Sequence, residues 1–134
     1  MLATPQGTGS RTTKILLIDD DELTRTALRA ILKDDGYTAV REASEAVAGL
    51  RMALHFRPDV ICLDVHMPGK NGMDLLVDLK ARLPAVPVLM VTSSNDRATV
   101  EACLKRGANG FIIKPFSADK MLQTIEACVA SNGR

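Results

Sequence analysis

Four short apolar runs punctuate this chain: Ile15 to Ile18, Val60 to Leu63, Val88 to Val91 and Gly110 to Ile113. Runs of this length, rich in Ile and Val and separated by helix-length stretches, predict strands of a parallel sheet covered on both faces. With a fifth, less apolar strand, the predicted starts fall near Lys14, Thr38, Pro58, Pro87 and Asn109. Between them apolar residues recur at helical spacing. The stripes are Leu23, Ala27, Ala30 and Ile31; Val47, Leu50 and Leu54; Leu76, Leu79 and Leu83; and Leu122, Ile125 and Val129. Each stripe predicts the core-facing side of an amphipathic helix. Five strand–helix alternations describe an α/β fold.

Punctuation residues sharpen the boundaries. Gly36 after Lys33, and Gly107 after Lys105 and Arg106, match helix ends with a basic last turn and a glycine cap. Asn95 and Ser117 have the chemistry of N-caps. The stretch from Asn95 to Arg106 is the poorest helix, with β-branched Thr99 and Val100 and a short stripe of Val100, Cys103 and Leu104, and is expected to be the most mobile. Asn71-Gly72 fits a hairpin turn. Because a helical stripe follows, it is assigned to the loop opening the third helix. Residues 1–13, with Pro, Gly, Ser and Thr, read as a disordered tail, and 131–134 as a frayed end.

A polar residue follows each apolar run: Asp19 and Asp20, Asp64, Thr92, and Lys114 with Pro115. Parallel strands share one carboxyl edge, where open α/β sheets place their ligands, so residues far apart in sequence are expected to meet there. Singly, each has a structural reading. Asp21 and Glu22 suit a helix amino end, as Asp19 or Asp20 would alone; Asp64 suits an Asx turn, Thr92 a cap and Lys114 a strand-end lysine. Together they imply more. Adjacent carboxylates on a partly buried rim repel one another unless a proton or cation intervenes. A hard divalent ion such as Mg²⁺, which takes oxygen ligands and often a phosphate oxygen, is the natural remedy.

Composition mostly excludes. The 134 residues fit one domain, and a net charge of +1, with Lys and Arg dispersed, leaves no footprint for nucleic acid or an anionic membrane. The first residues have neither a signal-peptide pattern nor a membrane span, so a cytoplasmic protein is expected. Cys62, Cys103 and Cys128 lack CxxC spacing and lie among apolar neighbours, which predicts buried free thiols. His55 and His66 belong to no histidine-ligand motif.

From Lys14 to Val129 the chain resembles the receiver domains of bacterial two-component response regulators. The resemblance is carried by LLIDDDE, CLDVHMPGKNG, PVLMVTSS and GANGFIIKPF, in order and at suitable separations. It implies a doubly wound, flavodoxin-like three-layer sandwich, (βα)5, with five parallel strands in the order 2-1-3-4-5 and a receiver spanning residues 14–130. Strand 2, at the edge with Arg41 and Glu42, would carry no site residue. The resemblance makes Asp64 the phosphoacceptor from a phosphohistidine on a sensor histidine kinase or histidine phosphotransfer protein. Mg²⁺ would be held by Asp20, Asp64 and the His66 carbonyl, with Asp19 acting mainly through a water. Lys114 and Thr92 would contact phosphoryl oxygens, and the Lys114–Pro115 bond would be cis.

The same resemblance makes Thr92 and Phe111 the switch pair, and places His66 and Ser94 at positions that influence phosphate lifetime. It implies a stand-alone regulator that binds a downstream protein through helix 4, strand 5 and helix 5, and that catalyses its own phosphorylation and dephosphorylation without turning over a metabolite. Three other readings stay open: a phosphohydrolase using the Asp19 and Asp21 pair, a flavodoxin-like cofactor binder, and a receiver excised from a longer protein. Asp19, Asp20, Asp21 and Glu22 argue against the second, because they would repel a phosphate after strand 1.

Overall fold

A computed structural model describes residues 12–93 and 96–132. Five strands alternate with five helices: β1 (Ile15–Ile18), α1 (Glu22–Asp34), β2 (Val40–Ala43), α2 (Ala46–Phe56), β3 (Val60–Leu63), α3 (Gly72–Arg82), β4 (Val88–Thr92), α4 (Arg97–Lys105), β5 (Gly110–Ile113) and α5 (Ala118–Asn132). All strand pairs are parallel and their order is β2-β1-β3-β4-β5. The four apolar runs are β1, β3, β4 and β5, with β4 extended to Thr92. Strands β1, β3 and β4 are buried along their whole length because helices cover both faces.

Two cores flank the sheet. Leu16, Ile18, Ile61, Leu63 and Met90 point toward α2, α3 and α4, whereas Ile15, Leu17, Val60, Cys62, Leu89 and Val91 pack with α1 and α5. The alternation follows the two-residue period of a strand. In α3, Leu76 and Leu79 are buried as the stripe predicts, with Leu83 buried at the C-cap, and Leu75 joins them. In α5, Ile125 is buried and Leu122 and Val129 pack beside it, with Met121 and Cys128 completing the face.

The stripes of α1 and α2 need correction. In α1 the buried residues are Leu28 and Leu32; Ile31 is half-buried, while Ala27 and Ala30 are exposed and Leu23 is 78% exposed. In α2 the small residues Ala46, Gly49 and Ala53 face the sheet, Val47 is exposed, and Leu50 and Leu54 are half-buried. The reason at Gly49 is space: a Cβ there would lie 2.8 Å from Ile18 Cδ1, so the helix sits too close to β1 for a larger side chain.

Side-chain caps start the helices. Asp21 accepts from Leu23 N, Glu45 from Val47 N and Ala48 N, Asn71 from Asp74 N, and Ser117 Oγ from Lys120 N. Asn71 thus opens α3, not a hairpin. The cap of α4 is Asp96, which accepts from Thr99 N at 2.7 Å; the expected cap Asn95 lies outside the described residues. Gly36 (φ 93°) and Gly107 (φ 102°) close α1 and α4 in the left-handed region. Each is followed by a residue whose N–H returns to the last turn, Tyr37 to Leu32 O and Ala108 to Cys103 O, both at 3.0 Å.

Most of the expected tail lies outside the described residues, but Thr13 is buried and Lys14 is pinned, its N–H donating to Asp59 Oδ2 at 2.8 Å and its carbonyl accepting from Asp59 N at 2.8 Å. At the other end α5 continues through Ser131 and Asn132. Cys62, Cys103 and Cys128 are all buried and none is in a disulfide, and burial pushes the Cys62 thiol up to about 12.

Candidate functional site

Register brings the polar residues together. Ile18 pairs with Leu63, so Asp19 and Asp64 follow at the same level on adjacent strands, and Asp64 N donates to Ile18 O at 3.0 Å. Thr92 pairs with Ile113, and the next residue, Lys114, donates its N–H to Thr92 O at 2.9 Å. Asp19, Asp64 and Thr92 are buried, whereas Asp20 is exposed. One carboxylate oxygen from each of Asp19, Asp20 and Asp64 lies within 4.8 Å of the others. The Lys114–Pro115 bond is cis.

Two of the three carboxylates meet one ammonium group. Lys114 Nζ is 3.0 Å from Asp19 Oδ2 and 3.8 Å from Asp64 Oδ2. Burial, reinforced by the charge of Asp19, holds the Asp64 carboxyl above its ordinary value; Lys114, the His66 N–H at 3.4 Å and the Thr92 hydroxyl pull the other way. One lysine leaves the cluster short of positive charge. The donor set is all oxygen, with one carboxylate open to water, which suits a hard divalent cation that keeps part of its hydration shell.

The other expected residues are placed as follows. His66 is exposed on the β3–α3 loop and shares a cleft with Asp20, Met67 and Asn71. Phe111 is half-buried in β5, packed against the α2/α3/α4 core. Ser94 lies outside the described residues. Both carboxylate oxygens of Asp21 are used in capping α1, accepting from Leu23 N at 3.2 Å and from the Thr24 hydroxyl at 2.7 Å, a bond that lowers its pKa. A catalytic Asp19 and Asp21 pair therefore has no geometric support.

Two contributors escaped the sequence reading. Gly72 packs its backbone against the phosphoacceptor candidate: a Cβ there would lie 1.9 Å from Asp64 O, and Gly72 N donates to Val65 O at 2.7 Å. Arg25 donates from Nη1 to Asp19 O at 2.5 Å and from Nε to Glu42 Oε1 at 3.1 Å. Its signal was available, since Arg25 shares the inward face of α1 with Leu28 and Leu32 at spacings of three and seven, and a cation on a core face needs a partner. Leu23 and Ala27, exposed on α1, line a groove of about 500 Å³ beside Lys114 together with Thr24, Ser93, Pro115 and Phe116.

This architecture and rim define a class. The family model of the response regulator receiver domain matches residues 15–126. The chain belongs to that family, the receiver domains of two-component response regulators. It is 33% identical over 113 residues to a chemotaxis protein CheY of Listeria monocytogenes, covering 84% of this chain and 95% of that protein. It is 36% identical over 115 residues to a chemotaxis protein CheY of Pseudomonas aeruginosa, covering 84% and 93%. The receiver domain of NtrX from Brucella abortus superposes with a TM-score of 0.83 at 31% identity, covering 88% of this chain and 99% of that one. A CheY-like receiver protein of Methanospirillum hungatei gives 0.86 at 25% identity, covering 91% and 97%. Among the described residues no helix is long and apolar enough to cross a membrane.

Proposed function

We propose that the chain is a Mg²⁺-dependent phosphorylation switch whose phosphoacceptor is Asp64. The observation that carries this reading is the meeting of Asp19, Asp20 and Asp64 within 4.8 Å beside Lys114 and Thr92. Asp19, Asp20, Asp64 and the His66 carbonyl would hold the cation. Bound there, Mg²⁺ supplies charge neutralisation and alignment of phosphoryl oxygens, which phosphoryl transfer chiefly needs. The donor is a phosphohistidine of a sensor kinase or phosphotransfer protein: its nitrogen–phosphorus bond breaks as the bond from an Asp64 carboxylate oxygen to phosphorus forms. Lys114, now bridging Asp19 and Asp64, is placed to shift onto a phosphoryl oxygen, and the Thr92 hydroxyl, now bonded to Asp64, can follow the phosphate.

The output reading rests on the same rim. Drawing Thr92 toward the phosphate makes room for Phe111 to turn inward and repack α4, a shift between two packings that alters the α4/β5/α5 face for a downstream protein. His66, exposed at the mouth of the cleft, and Ser94 are the positions proposed to tune water access and so phosphate lifetime. The protein catalyses its own phosphorylation and dephosphorylation and is otherwise not an enzyme. Incubation with a small phosphodonor such as acetyl phosphate and Mg²⁺, followed by mapping of the acid-labile phosphate, tests the assignment. Label on Asp64, abolished in a folded Asp64→Asn protein and by excess chelator, is expected. Label on Asp19 or undiminished label in Asp64→Asn overturns it.

A further inference from the structure

Asp20 is the carboxylate of the cluster that faces solvent, and its side chain makes no hydrogen bond or ion pair among the described residues. Its direction is therefore set by its backbone, above all by the peptide joining it to Asp19. The carbonyl of that peptide accepts from Arg25 Nη1 at 2.5 Å, while the Asp19 N–H is tied to Ala43 O at 3.1 Å. Arg25 is itself held at both ends. Its backbone N–H donates to Asp21 O at 3.1 Å, its Nε meets Glu42 Oε1 at 3.1 Å, and the other Glu42 oxygen is engaged by Arg29. The Arg25 side chain is only 15% exposed, so this is a packed bracket rather than a loose surface pair.

We propose that Arg25, anchored by Glu42, is a positioning residue for the metal site: it fixes the Asp19–Asp20 peptide so that the Asp20 carboxylate stands beside Asp19 and Asp64. This rests on the assignment of Asp20 as a cation ligand made above. It also gives the edge strand β2 a part in the site, because Glu42 belongs to β2 and Ala43, the next residue, holds the Asp19 N–H. The planar guanidinium suits the task, since one group can reach a carbonyl and a carboxylate at once, whereas an ammonium on a flexible stem cannot hold both in fixed directions.

The sign of the effect separates positioning from simple electrostatics. A guanidinium next to an acidic cluster repels a divalent cation, so deleting it tightens Mg²⁺ binding if charge alone matters. Loss of positioning weakens binding instead. The test is calorimetric Mg²⁺ titration of the wild type, Arg25→Ala, Arg25→Lys, Glu42→Ala and Asp20→Ala, alongside the metal-free unfolding midpoint of each. Arg25→Ala is expected to weaken Mg²⁺ binding about tenfold, the size of one hydrogen bond to a charged group. Arg25→Lys and Glu42→Ala should fall between Arg25→Ala and the wild type. A merely structural role lowers the midpoint and leaves the affinity of the folded protein unchanged. A folded Arg25→Ala that binds Mg²⁺ as tightly as the wild type, or more tightly, overturns the proposal; should that variant not fold, wild-type affinity in Arg25→Lys does so. Unchanged affinity in Asp20→Ala overturns the ligand assignment itself, whereas weakened Asp20→Ala with unweakened Arg25→Ala overturns only the positioning role.

Discussion

Helices α3 and α4 both follow a strand that ends in a site residue, and both begin with a side-chain cap, yet they are fastened very differently. Helix α3 buries Gly72, Leu75, Leu76 and Leu79, whereas α4 buries Cys103 alone. A fully buried Leu contributes about 2 kcal/mol, so α3 is anchored by several such contributions and α4 by little more than its caps. The difference divides the rim into a fixed part and a compliant part. Asp64 sits against the amino end of α3, touching Gly72, while Thr92 leads toward the helix with the smaller buried anchor. A phosphorylation switch needs both: a rigid acceptor for in-line transfer and an element of low local stability to report it.

The sharpest way to break the comparison is at the α3 anchor. Gly72→Ala places a Cβ where Asp64 O stands, so the backbone must move. A loss of more than about 3 kcal/mol of stability in urea titration is expected, with loss of phosphorylation in whatever remains folded. Leu79→Ala, which empties a fully buried site in α3, should cost about 3 kcal/mol. Leu104→Ala in α4, where the side chain is 48% exposed, should cost less than about 0.5 kcal/mol. Equal costs in the two helices would erase the distinction.

Titration sharpens the same contrast. Burial and Asp19 hold Asp64 above its ordinary value, so the folded protein binds that proton more tightly than the unfolded chain. Stability therefore falls as pH rises from the ordinary carboxylate range through the folded-state value. In metal-free buffer at neutral pH, Asp64→Asn should unfold at higher urea than the wild type, and the gap should close at low pH. The cap Asp96 behaves oppositely: hydrogen bonds from Thr99 lower its pKa, so its contribution is present above the ordinary carboxylate range and lost as pH falls through the lowered value. Its removal loosens α4 locally, without emptying a core site. Asp96→Ala should speed amide hydrogen exchange in α4 and leave α3 unchanged; faster exchange in both would mean that the helices open together.

Much of this protein was legible in one dimension. The apolar runs located β1, β3, β4 and β5 within a residue or so, because a strand buried on both faces must be apolar throughout. The polar residues that end those runs named Asp19, Asp20, Asp64, Thr92 and Lys114, since parallel strands deliver their carboxyl ends to one edge. Glycine and basic last turns marked the ends of α1 and α4, where the chain passes through the left-handed region that glycine enters without strain. Packing distance decided the rest. Periodicity shows that a helix has an apolar side but not how closely it approaches the sheet, so α2 turned its small residues inward and α1 turned Leu23 toward a groove. The bracket of Arg25, Asp19 and Glu42 joins α1, the end of β1 and the edge strand, and the contact of Gly72 with Asp64 joins a helix start to a strand end. Such contacts depend on how separate elements stack in space, and only the folded chain sets those distances.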